Sequence, residues 1–95
     1  MGPDGYPDKR ELARIKKWDV VKDPLGLVWY VRDHWDQDDW GFHFNPETGA
    51  LELHTGGGSG NESIIRALQG NLMFWTLCWQ KYERGGHYRF EVKAL

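Results

Sequence analysis

The chain has 95 residues, enough for one domain and too few for a second core. Its 12 basic and 14 acidic side chains leave a net charge of −2, which excludes the basic excess of a general nucleic-acid binder. One cysteine, Cys78, excludes an internal disulfide and fits a reducing compartment.

No apolar run reaches bilayer length, and Met1–Asp8 lacks the charged start and apolar stretch of a secretory signal, so a cytoplasmic setting is expected. Two Gly and two Pro within residues 1–7 predict a flexible tail ahead of a single domain over 8–95. Six Trp, four Tyr and four Phe supply the large buried areas that a core this small needs.

Leu12, Ile15 and Trp18 recur at helical spacing and predict a helix from about Asp8 to Trp18, with Asp8 at the end where the dipole favours negative charge. Asp23-Pro24 is a cap followed by a residue suited to the first helical position. A helix over 24–35 is expected from it, carrying Leu25, Val28, Val31 and Trp35. The run Leu27–Val31 is rich in strand formers, so a strand competes for this segment.

Asp36–Asp39 reads as an acidic loop. Trp40, Phe42 and Phe44 alternate with Gly41, His43 and Asn45 as in a half-buried strand, and Asn45–Gly49 is a turn. Ala50–Thr55 returns as a second strand with Leu51 and Leu53 inward, completing a hairpin. Ser59-Gly60-Asn61-Glu62 matches a capping box, with Asn61 as a second possible cap. A long helix from about Glu62 to Tyr82 is expected next. Its apolar stripe is Ile64, Ile65, Leu68, Leu72, Trp75, Trp79 and Tyr82, and Gly85-Gly86 is its stop signal. Tyr88, Phe90 and Val92 then mark a last strand. The order α-α-β-β-α-β predicts an α+β fold, a three-stranded, mostly antiparallel sheet packed on a long C-terminal helix.

Four places could carry chemistry. The loop 54–63 leaves a strand and enters a helix, where converging N–H groups suit an anion such as a nucleotide phosphate. It is neither a Walker A loop nor a dinucleotide fingerprint. Arg84, His87 and Arg89 flank two glycines and could join it, so the expected ligand-binding residues are Thr55, Gly57, Gly58, Ser59, Asn61, Arg84, His87 and Arg89. A tight turn plus a cap explains the same loop without a ligand. The polar side of the sheet, with His43, Glu52, His54, His87, Arg89 and Glu91, lacks compact metal-ligand spacing and is expected to be solvated or covered by the N-terminal helices, with no metal. Most Trp residues are expected in the core. Trp29 falls off the helical stripe and, with Asp36, Asp38 and Asp39, forms the expected partner-binding set. Cys78, among aromatics, is expected to be buried and inert. No catalytic residues and no cofactor are expected, because no nucleophile, base and electrophilic site assemble.

Thr55–Glu62, the Ile64-Ile65 helix with Phe74-Trp75, and Arg84-Gly85-Gly86-His87-Tyr88 with Phe90 carry a resemblance. Over residues 40–92 the chain resembles a group of short uncharacterised proteins of bacteria and bacteriophages. An aromatic is common in that group where this chain has Gly58. The resemblance implies a phage or prophage accessory role exercised by binding a host component, and it carries no catalytic residues. The sequence thus supports two functions. One is a small module binding an anionic small molecule at the Gly-rich loop. The other is an interaction or inhibitor protein acting on a host protein through an acidic or aromatic surface.

Overall fold

A computed structural model describes residues 7–35, 41–56 and 59–92. Helix α1 (Lys9–Lys17) opens on a capping box: the Glu11 N–H donates to Asp8 Oδ1 and the Asp8 N–H to Glu11 Oε1, both at 2.9 Å. The charge of Asp8 is evident from the sequence; its partner Glu11 emerges only in the fold. Asp23 caps α2 (Pro24–His34), accepting from the Gly26 N–H at 3.0 Å, and this settles the competition between helix and strand in favour of helix.

Glu11 also meets His34 of α2, Oε2 to Nε2 at 2.5 Å. The Asp8 backbone N–H and, less strongly, His34 hold the Glu11 carboxyl down at about 2. A carboxyl depressed by folding stabilises above its ordinary value of 4.5, and that contribution drains away as pH falls towards 2. Glu11→Gln is therefore expected to cost about 1 kcal/mol at neutral pH. Denaturant unfolding should show the gap from wild type closing between pH 4.5 and about 2; a gap that is constant with pH refutes this role.

Strands β1 (Phe42–Asn45) and β2 (Ala50–His54) form the expected hairpin, with Gly49 at φ 79° in its turn. The long helix does not survive. It divides into α3 (Ser59–Gly70) and α4 (Leu72–Cys78) at Asn71, and residues Trp79–Glu83 form strand β3. Gly85 and Gly86, at φ 95° and 80°, turn β3 into β4 (His87–Glu91) and are not a helix stop. Four strands thus replace the expected three, in the order β1-β2-β4-β3, all antiparallel.

The error in β3 has a physical source. Trp75, Trp79 and Tyr82 are spaced 4 and 3 apart, as on a helix. In the fold, Trp79 pairs with Phe90 and Tyr82 with Tyr88 on one side of the sheet, an odd spacing that a regular strand cannot deliver. An irregularity between Trp79 and Lys81 absorbs the extra residue, as a β-bulge does.

The helices cover the sheet face of Phe42, Leu51, Leu53 and Phe90, and one apolar cluster joins them. Phe74 of α4 packs on Phe90, ring centroids 5.2 Å apart, and Trp29 of α2 meets Phe44 edge-on at 5.6 Å. The Lys16 stem lies over Gly70, where a Cβ would come within 2.5 Å of it, so the weak helix former permits a close α1–α3 contact. On the other face His43, Glu52, Lys81 and Arg89 are exposed, and among the described residues no helix covers them.

Candidate functional site

The two glycine-rich segments do meet. The Thr55 N–H donates to the Gly86 carbonyl at 3.0 Å, and the Thr55 hydroxyl donates to Glu62 Oε1 at 3.4 Å. Helix α3 begins at Ser59, so Ser59 stands in the first turn and not at the cap position that the capping box would require. Asn61 lies within the helix and is buried, as is Thr55. Gly57 and Gly58 lie outside the described residues. The polar groups of Thr55 therefore join loop, helix and hairpin turn, and the Glu62 carboxylate already supplies the negative charge that the start of α3 favours.

Of the other expected ligand residues, Arg84 is exposed in the turn, while His87 and Arg89 lie on the open sheet face. There a concavity of about 210 Å³ is lined by Glu52, His54, Lys81, Glu83, His87 and Arg89. His54 and His87 are cross-strand partners, Nδ1 to Nδ1 at 2.5 Å. Burial first, then His87, lowers the His54 pKa, so the neutral ring is favoured. Lys81 and Glu83 pair at 2.9 Å, and Lys81 holds the Glu83 carboxyl below its ordinary value. The concavity thus mixes two basic with two acidic side chains and offers an anion no clear excess of positive charge. Among the described residues no group of three His, Cys, Asp or Glu is arranged to hold a metal ion.

The third surface was not expected. Helix α4 buries Phe74 and Cys78, one turn apart, and turns Leu72, Met73 and Leu77 outward. Leu72 is 75% exposed and Leu77 57%. Next in the chain, β3 is an edge strand with every residue exposed, Trp79 at 41% and Tyr82 at 47%. Helical periodicity places Leu72, Trp79 and Tyr82 on a buried stripe. That stripe is buried at Ile64, Ile65 and Leu68, and only half-buried at Trp75. The signal available in the sequence is the Asn71 interruption and the polar alternation of Lys81 and Glu83 behind it.

Trp29 is 43% exposed, as expected, with Arg32 over its ring at 5.7 Å. It stands by Phe44 of β1, at the sheet edge opposite β3. Asp36, Asp38 and Asp39 lie outside the described residues, as does Trp40. Trp35 is buried and Trp18 half-buried. Cys78 is buried, which pushes its thiol up to about 11 and keeps it protonated at neutral pH.

No family model matches the chain, and no curated protein and no solved structure is similar to it. No described helix is long and apolar enough to cross a membrane.

Proposed function

We propose that this chain is a non-enzymatic protein-binding module whose contact surface is the outer side of α4 together with the β3 edge. One observation carries the reading. Of seven large apolar side chains exposed among the described residues, five (Leu72, Met73, Leu77, Trp79 and Tyr82) fall within eleven consecutive positions. Exposed apolar side chains gathered in one segment of a small domain point to an interaction site, and Trp, Tyr and Met are residue types enriched at interfaces. Among the described residues no strand pairs with the outer side of β3, whose backbone donors and acceptors add to the surface. A phage-type accessory role in the bacterial cytoplasm is the setting proposed with it, which a single buried thiol suits.

Met73→Lys with Leu77→Lys tests the reading. Both side chains are more than half exposed, so stability should change by less than about 0.5 kcal/mol. Capture of the partner from a lysate of host cells that make the chain should fall at least about tenfold, which is about 1.4 kcal/mol of binding. Trp29→Ala at the far edge should leave capture intact. Capture indifferent to the lysine pair refutes the surface.

The second reading, an anionic small molecule near the glycine-rich loop, is supported by the Thr55–Gly86 bond, which joins the turn between Arg84 and His87 to the start of that loop. A thermal-shift screen with phosphate esters checks it. Stabilisation of about 2.7 kcal/mol at a hundredfold excess over Kd would support it, and a flat screen removes it.

A further inference from the structure

We infer that the partner of the α4–β3 surface is a second copy of this chain, joined edge to edge through β3 into one antiparallel eight-stranded sheet. The inference rests on the protein-binding reading above and names the partner. Three observations on β3 carry it.

First, β3 ends the sheet with β4 on one side only, so among the described residues no strand meets the backbone groups along its outer side. A two-fold axis lets the same edge satisfy itself.

Second, the pleat restricts the registers. Lys81 and Glu83 pair with Arg89 and His87 on the open face, while Tyr82 pairs with Tyr88 on the helix side. Directly opposed residues in an antiparallel pair project to the same side, so Lys81 and Glu83 cannot oppose Tyr82 of the other copy. The registers overlapping this segment are then centred on Lys81, Tyr82 or Glu83. Centring on Lys81 sets lysine against lysine, and centring on Glu83 sets glutamate against glutamate.

Third, centring on Tyr82 sets Lys81 of each copy against Glu83 of the other, twice, and the two Tyr82 rings face one another across the axis. Within one copy Lys81 and Glu83 already pair at 2.9 Å. The dimer therefore closes a square of four alternating charges on the open face. On the other face it brings together the two Tyr82 rings, each already packed on Tyr88 of its own copy with centroids 4.7 Å apart. The irregularity at the start of β3 confines regular pairing to Lys81–Glu83, so the ladder is short and the association is concentration-dependent.

Sedimentation velocity on the full chain, from about 10 μM to about 1 mM, tests this directly, because self-association follows mass action. Wild type is expected to pass from monomer to dimer in that range. Lys81→Glu and Glu83→Lys each replace two attractive pairs by two repulsive ones and should weaken the dimer about tenfold or more. The double variant, Lys81→Glu with Glu83→Lys, recreates both pairs in reverse and should return the dimer to within about threefold of wild type. All three positions of the ladder are exposed, and circular dichroism on each variant verifies the fold. A wild-type chain monomeric throughout, a dimer unmoved by either single change, or a double variant as weak as the singles overturns the proposal. A monomeric wild type whose lysate capture still depends on Met73 and Leu77 overturns the dimer while leaving the binding surface standing with a different protein on it.

Discussion

Asn71→Leu is expected to destabilise the fold by about 3 kcal/mol, from three lost hydrogen bonds and the buried groups they leave unpaired. Asn71 is 4% exposed and sits between α3 and α4. Its Oδ1 accepts from the Phe74 N–H at 3.1 Å, which caps α4. Its Nδ2 donates to the carbonyls of Ile15 and Trp18, each at 3.0 Å, and so ties down the end of α1. One amide thus connects a helix start to a helix end 53 to 56 residues earlier in the chain. Leucine has similar volume but leaves two carbonyls and one N–H without it. Asn71→Asp separates the two functions. It retains the cap but turns a carboxylate oxygen towards two carbonyls, and should be at least as damaging as leucine. Urea unfolding followed by tryptophan fluorescence reads both. A loss below about 1 kcal/mol for leucine would mean that the α1 carbonyls find other partners.

Gly86→Ala should cost about 2 to 3 kcal/mol, the sum of a left-handed backbone penalty and a steric conflict. Gly86 has φ 80°, and a Cβ there would fall on Thr55 Oγ1, far inside van der Waals contact. The Gly86 carbonyl holds the Thr55 N–H, so the turn cannot retreat without losing that bond. Thr55→Ala removes the obstructing oxygen but not the backbone penalty. In that background Gly86→Ala should cost only about 1 to 2 kcal/mol, so the double variant should lose about 1 kcal/mol less than the sum of the two single losses. Strict additivity would show that the two glycine-rich segments are not packed together. The cycle also bears on the anion reading, because a loop tied this closely to Thr55 and Glu62 is occupied by the protein's own groups.

Where the sequence was legible, one local rule decided the outcome. Asp23-Pro24 overrode the strand formers of Leu27–Val31, because a satisfied cap and a fitting first residue start a helix even when strand formers come next. The alternation of Phe42 and Phe44 against Leu51 and Leu53 defined both strand identity and inward face. Proximity of Arg84–His87 to the glycine-rich loop was also foreseeable, and the Thr55–Gly86 bond realises it.

Illegibility came from a conflict between two rules. The bulge in β3 converts a 4-then-3 spacing into two aromatics on one side of a strand, so Trp75, Trp79 and Tyr82 imitate a helical stripe. Asn71 is legible as a break in the helical run, but the hold of its amide on the carbonyls of Ile15 and Trp18 is not, because those groups lie far away in the chain. Met73 and Leu77 fall off the helical stripe, whereas the exposure of Leu72, which falls on it, was illegible for a related reason. Periodicity identifies which residues share a face but not whether anything lies against that face, and α4 has more apolar surface than the sheet can cover.

The most direct test of the binding surface is a photo-crosslinking amino acid placed singly at Leu77, at Tyr82 and, on the open face, at His43, with irradiation in the host cell. Discrete adducts are expected from positions 77 and 82, at twice the mass of the chain where the partner is a second copy, and none from position 43. Adducts from position 43 alone, with 77 and 82 silent, would refute the α4–β3 surface.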